Sequence, residues 1–163
     1  MSRHLHPREK VLGVTDLQRR FAPPRDHVLV FTNGCFDLLH RGHVEYLWQA
    51  HRLGDRLVVG VNTDDSVRRL GKGGARPYTA QADRALLLAA LPFVDAVCLF
   101  DEDTPRDLVA RLLPDVLVKG GDYEGSPIPG REEVEEAGGR VVLVPFVEGY
   151  ATSDLITRIR GED

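Results

Sequence analysis

From Val28 onward, short β-branched and apolar runs alternate with stretches of helical periodicity, and this alternation is the strongest constraint on the fold. Strands are expected over 28–33, 56–62, 94–100, 115–119 and 140–146. Helices are expected between them over 42–53, 64–70, 80–91, 104–113 and 131–137, with a last one over 152–160. Thr79, Thr104 ahead of Pro105, and Thr152 read as N-caps, and Gly138-Gly139 as a helix stop. Strands joined through helices run parallel by right-handed crossovers. The fold class expected is therefore α/β, a Rossmann-like three-layer α/β/α with a mainly parallel sheet. Upstream, Val11, Leu12, Val14, Leu17 and Phe21 recur at helical spacing until Pro23-Pro24. Residues 1–27 are thus expected to form an extension with a short helix outside the main fold, and 28–163 the domain.

With 163 residues and 42% hydrophobic content the chain supports one core and not two. A formal charge of −4 argues against nucleic acid or an anionic membrane as partner and favours a small molecule. The two cysteines, Cys35 and Cys98, form no C-x-x-C, and no apolar run approaches ~18 residues, so a reduced, cytoplasmic setting without a membrane span is expected.

Ligands of such sheets bind beyond the carboxyl ends of the strands, here the segments 33–43, 62–65, 119–123 and 147–153. The first carries Asn33-Gly34-Cys35-Phe36-Asp37-Leu38-Leu39-His40-Arg41-Gly42-His43, an H-x-G-H between a strand and a helix. Imidazoles in a first helical turn sit beside unsatisfied N–H groups at the positive end of the dipole, where a polyphosphate is favoured. Taken singly, either histidine reads equally as an ordinary helix-start residue. No Glu lies between them and no third ligand is suitably spaced for zinc. The turn also lacks G-x-G-x-x-G and the P-loop pattern.

The motif Gly34-Cys35-Phe36-Asp37-x-x-His40-x-Gly42-His43 resembles the cytidylyltransferase-like superfamily of nucleotidyltransferases. Leu53-Gly54-Asp55, Asn62-Thr63-Asp64, Arg76-Pro77, Lys119-Gly120-Gly121-Asp122-Tyr123 and Glu148-Gly149-Tyr150-Ala151-Thr152-Ser153 extend the resemblance over nearly all of the chain from Val28. Within the superfamily it is most similar to the adenylyltransferases of ADP-heptose synthesis, which often form one half of a bifunctional protein whose other half is a sugar kinase. The resemblance implies transfer of AMP from ATP, with Mg²⁺, to a sugar 1-phosphate such as D-glycero-D-manno-heptose 1-phosphate, releasing pyrophosphate. It also implies His40, His43 and Lys72 as catalytic residues, and Thr32, Asn33, Gly34, Phe36, Gly42, Lys119, Gly120, Asp122, Thr152 and Ser153 as nucleotide contacts. Asp37 and Arg84 would meet the sugar phosphate or its anions. A homodimer, or pairing with a separate sugar kinase, is the partner arrangement it suggests.

Each assignment has a plainer counterpart. Gly71-Lys72-Gly73-Gly74 reads as a solvated loop, Asp37 as a turn residue, Thr152 or Ser153 as a cap, and Asp101-Glu102-Asp103 as a solvated helix entrance. Where the family often shows Gly-x-Ser-Thr-Thr, this chain has Gly149-Tyr150-Ala151-Thr152-Ser153, one hydroxyl fewer. Where cytidylyltransferases tend to carry Arg-Thr, it has Phe146-Val147, which disfavours cytidine. The competing readings are a cytidylyltransferase for glycerol 3-phosphate or another polyol phosphate and a non-catalytic nucleotide-binding partner of a sugar kinase. A nicotinamide-dependent oxidoreductase ranks last.

Overall fold

The computed structural model describes residues 6–71, 74–121 and 125–162. A 3-10 turn (Pro7–Lys10) leads to α1 (Val14–Phe21), β1 (Leu29–Gly34), α2 (Arg41–His51), β2 (Arg56–Asn62) and α3 (Asp64–Arg69). Then follow α4 (Gln81–Ala89), β3 (Ala96–Phe100), α5 (Arg106–Leu112), β4 (Val116–Gly120), α6 (Arg131–Glu136), β5 (Arg140–Val144) and α7 (Thr152–Arg160). The five strands form one sheet in the order β3-β2-β1-β4-β5, and every pairing is parallel. The order reverses at β1, so the crevice between the carboxyl ends of β1 and β4 is the topological switch point.

Strand side chains alternate between two cores, as a sheet covered on both faces requires. Val30, Leu57, Val59, Val116 and Val118 pack with Leu47 and Ala50 of α2 and Ala85, Leu88 and Ala89 of α4. Leu29, Phe31, Val58 and Leu117 pack on the other face with Leu17 and Phe21 of α1, Leu108, Val109 and Leu112 of α5, and Val134 of α6. The alternation of strands and helices thus yields the α/β, Rossmann-like architecture expected of it.

The N-terminal segment differs from expectation. Leu17 is fully buried and Phe21 nearly so. Leu12 N–H donates to Val97 O at 2.8 Å beside a parallel bridge from Val11 to Val97, and Lys10 Nζ donates to Val94 O at 2.9 Å and Leu91 O at 3.3 Å. Leu17 and Phe21, one helical turn apart, hold α1 against Leu29, Phe31, Val58 and Leu117 of the sheet.

Three expected caps also move. Helix α4 starts from Ala80, because Thr79 has its N–H bound to Asp37 and its carbonyl bound to Arg84. Pro105 itself takes the N-cap position of α5, and Thr152 is the first helical residue of α7 behind an extended Ala151. Thr63, by contrast, caps α3 through Oγ1, which accepts from Ser66 N–H at 3.2 Å. Two of the exposed acids at 101–103 are also paired: Arg69 Nε binds Asp103 at 2.9 Å and Thr63 Oγ1 binds Asp101. Among the described residues no helix is long and apolar enough to cross a membrane.

Candidate active site

Beyond Gly34 the chain leaves β1 through a turn in which Phe36 adopts φ 49°, a left-handed conformation that a large side chain tolerates only when its surroundings hold it. A Cβ on Gly34 would stand 3.0 Å from the Phe36 ring, so the glycine is what lets that ring fold back and bury. The turn delivers His40 as the N-cap residue of α2 and His43 within its first turn. The two imidazoles stack, with centroids 3.8 Å apart at 20°, and Phe36 meets the His43 ring edge-on at 5.2 Å. His40 N–H points to His43 Nδ1 at 3.4 Å. With Nδ1 accepting, a neutral His43 carries its proton on Nε2, the atom that a phosphate oxygen would take. Burial pushes His40 below its ordinary value, and the Asp154 carboxylate opposes that shift without reversing it. A side chain at Gly42 would displace its neighbours: a Cβ there would lie 2.8 Å from Tyr150 Cβ and 2.9 Å from His40 Cε1.

Behind the histidines lies a knot of backbone carbonyls. Arg84 is 1% exposed. Its Nε donates to Thr79 O at 2.9 Å, Nη1 to Cys35 O at 2.6 Å and to Asn62 O at 2.8 Å, and Nη2 to Asp64 Oδ1 at 2.8 Å. Arg84 was expected to face substrate anions. It is buried, and these bonds join the β1 turn, the end of β2 and the segment entering α4. Asp37, 4% exposed, acts in the same frame: Oδ1 accepts from the N–H groups of Tyr78 and Thr79 at 2.8 and 3.0 Å. Its turn role is therefore the one on view, and it fixes the segment that follows the glycine-rich loop. Asn62 completes the frame by donating from Nδ2 to Ser66 Oγ at 3.0 Å.

At the switch point Lys119 of β4 reaches across to Asn33 Oδ1 of β1. It is 4% exposed, and burial pushes its ammonium down to about 8. Thr32, like Arg84, has its side chain bonded inside the protein. Its fully buried hydroxyl donates to Val118 O at 3.0 Å and accepts from Tyr46 OH at 2.8 Å, which ties β1 to β4 and α2 below the crevice. Gly120, the last residue of β4, lies under the ring of Phe146.

The final segment closes the other side. Tyr150 packs on Gly42, and Arg41 lies over its ring at 5.5 Å and donates to its hydroxyl at 3.3 Å. Helix α7 then brings Thr152, Ser153 and Asp154 to its first turn; Ser153 is exposed, and its hydroxyl lies 3.5 Å from Asp154 Oδ1. Gly149, Asp154, Thr157 and Arg158 line a cavity of about 350 Å³ between this turn and the preceding loop. At the far end of α7 Arg160 Nη2 donates to Tyr78 OH at 3.0 Å. Lys72 and Asp122 lie outside the described residues. Among those described, no group of three or more His, Cys, Asp or Glu side chains is placed to hold a metal ion. Arg41, Tyr46 and Tyr150 were missed as site residues. Arg41 and Tyr150 lie inside motifs already singled out, whereas Tyr46 sits on a helix face whose surroundings only the fold reveals.

His40 and His43 at the start of α2, and Asn33, Lys119 and Gly120 at the ends of β1 and β4, thus lie at the carboxyl edge of the sheet, where they offer hydrogen-bond donors, a helix N-terminus and one buried cation. Such a site suits a polyphosphate. D-beta-D-heptose 1-phosphate adenylyltransferase of Bordetella bronchiseptica is 53% identical over 152 residues, which cover 93% of this chain and 94% of that one. The bifunctional protein HldE of Syntrophotalea carbinolica is 52% identical over 152 residues, 93% of this chain but 30% of that one. The chain accordingly spans about a third of the bifunctional relatives it matches. Among solved structures, the lipopolysaccharide core biosynthesis protein of Thermoplasma volcanium superposes with TM-score 0.63 at 30% identity, covering 77% of this chain and all of that one. The pantoate-beta-alanine ligase of Francisella tularensis, at 10% identity and TM-score 0.56, shares the fold alone. The cytidylyltransferase-like family model matches residues 31–159, and the chain belongs to that family.

Proposed function

We propose that this chain is an adenylyltransferase that moves AMP from ATP to D-glycero-D-manno-heptose 1-phosphate, giving ADP-heptose and pyrophosphate. The observation that carries the reading is the stacked His40–His43 pair at the N-terminus of α2, set at the β1/β4 switch point. The substrate assignment is supported by the 53% identity to a heptose 1-phosphate adenylyltransferase over almost the full length of both chains.

The sugar phosphate is already a nucleophile. One of its oxygens attacks the α-phosphorus in line, an O–P bond forms, and the bond from the α-phosphorus to the bridging oxygen breaks with pyrophosphate leaving. No proton need be removed from the nucleophile and no covalent enzyme intermediate is required, so the protein's task is alignment and charge stabilisation. His40 and His43 donate to α- and β-phosphate oxygens, and Gly42 keeps that approach open. Lys119, steered by Asn33, offsets charge at the triphosphate, and the first turn of α7 with Thr152 and Ser153 meets the leaving pyrophosphate. Lys72, from the glycine-rich loop, would close over the same phosphates. A divalent cation, Mg²⁺ in this reading, arrives on the triphosphate and supplies further neutralisation; no protein side chain is assigned to it. The expected setting is the cytoplasm, with a second copy of the chain or a separate sugar kinase as candidate partners.

The test is pyrophosphate release by purified protein with Mg²⁺, crossing ATP and CTP with heptose 1-phosphate and glycerol 3-phosphate. Turnover confined to ATP with heptose 1-phosphate is expected. Turnover with CTP and glycerol 3-phosphate would overturn the substrate and keep the chemistry.

A further inference from the structure

Phe146 follows β5 at the carboxyl end of the sheet, and 58% of it is exposed, an expensive place for a phenyl ring. Its position is nevertheless closely determined. A Cβ on Gly120 would stand 2.0 Å from the ring's Cζ and 2.6 Å from Cε1, so the ring lies directly on bare backbone at the end of β4. No side chain at 120 is compatible with that placement. Tyr46 backs it, with centroids 6.0 Å apart and planes tilted by 35°, and Tyr46 is itself 5% exposed and bonded to Thr32. The ring is thus supported from beneath and from one side, next to Lys119, while more than half of it is uncovered at the edge of the phosphate crevice.

A flat apolar surface beside a site for a triphosphate matches the other part of a nucleotide. Base-on-aromatic stacking covers both π-faces, and a purine covers more of the ring than a pyrimidine. We propose that Phe146, seated on Gly120, is the stacking platform for the purine base of the bound nucleotide and a determinant of ATP over CTP. The proposal rests on the reading of the crevice as an ATP site.

Equilibrium binding of ATP and CTP, measured by calorimetry without sugar phosphate, separates this from a packing role. Phe146→Ala should weaken ATP about tenfold and CTP no more than about threefold, while Phe146→Trp retains ATP affinity. Gly120→Ala should push the ring away and reproduce the Phe146→Ala loss, and adding it to Phe146→Ala should change little further. Circular dichroism and thermal melting verify that each variant is folded, and Phe146→Leu, which keeps apolar bulk without a π-face, should fall between alanine and wild type. An unchanged ATP affinity in Phe146→Ala, or equal weakening of ATP and CTP, overturns the platform. Wild-type protein that binds ATP yet releases no pyrophosphate with any sugar phosphate overturns the functional reading and leaves the platform standing. Wild-type protein that binds neither nucleotide overturns both.

Discussion

At the amino end of the sheet Arg25 donates to Asp115 Oδ2 from Nε and Nη2 at 3.1 and 2.9 Å, and to the carbonyls of Phe21, Leu112 and Leu113 at 3.0, 3.2 and 2.6 Å. At the carboxyl end Arg84 does the same with three carbonyls and Asp64. Both guanidiniums are buried forks that collect carbonyl oxygens left over where chains turn, a geometry that lysine's single ammonium cannot reproduce. What differs is whose carbonyls they hold. Arg25 ties the ends of α1 and α5 to the start of β4, far from any phosphate donor. Arg84 holds Cys35, five residues ahead of His40 in the turn that aims both imidazoles. One device therefore serves stability at one pole and site geometry at the other.

The sharpest break between the poles should come from the histidines. His43→Ala is expected to lower turnover by about 10²- to 10³-fold, the scale of losing one preorganised donor at a transition state, with a melting temperature close to wild type. Steady-state pyrophosphate release and calorimetric melting check this pair of outcomes. Near-normal turnover would remove chemistry from the α2 N-terminus.

The arginines give the next largest contrast. Arg84→Ala strands three carbonyls and Asp64 and should cost ~3–5 kcal/mol of stability. Arg84→Lys keeps the charge, folds, and should lose about tenfold in kcat, because the turn carrying His40 loses its fork. The matching Arg25→Lys should lower the melting temperature and leave kcat and KM unchanged. If both lysine variants lose turnover equally, the division of labour between the poles fails.

Lys119 sharpens the comparison by pH. Burial sets its folded value at about 8, below the ordinary 10.5. Below about 8 the ammonium is charged in both states, and folding carries the full cost of burying it. As pH rises from there towards 10.5 the folded chain releases its proton first, the unfolded chain holds more protons, and this group's contribution to stability improves. Triphosphate binding has the opposite sign, since the cation that attracts the phosphates disappears. Between pH 7 and 9 the ATP dissociation constant should rise by up to about tenfold, and Lys119→Met should flatten that dependence while melting no lower than wild type. Calorimetric titration across this range measures both.

The contrast also shows which features the sequence discloses. Periodicity marks all five strands, and the motif from Gly34 to His43 marks the site, because both depend on residues near one another in the chain. For Arg84 the family resemblance implies substrate anions. Its partners, Cys35, Asn62, Asp64 and Thr79, come from three different connections and meet only when β1, β2 and α4 are assembled. Thr32 likewise sits in an apolar strand within reach of Val118 and Tyr46, neither of which is its sequence neighbour. Thr79 read as a cap, but Asp37, 42 positions earlier, already occupies its N–H. Local signals fail where a long-range hydrogen bond takes the group they rely on.

The smallest effect should separate contact from support on the crevice's other side. The Arg41–Tyr150 pair combines a cation over a ring at 5.5 Å with a 3.3 Å hydrogen bond, but the Arg41 side chain is 66% exposed, and solvent screens such a pair. Tyr150→Phe should remove the hydrogen bond with no measurable change in melting. Tyr150→Ala should raise the KM for ATP a few-fold at constant kcat, because the loop leading into α7 loses its seat on Gly42 while the histidines keep theirs. Gly42→Ala at the same contact should instead depress kcat, since the new methyl group strikes His40 as well as Tyr150. A kcat loss in Tyr150→Ala as deep as in Gly42→Ala would mean that the loop, and not the α2 turn alone, orients His40, and the rigid frame of the site would then extend into the segment leading to α7.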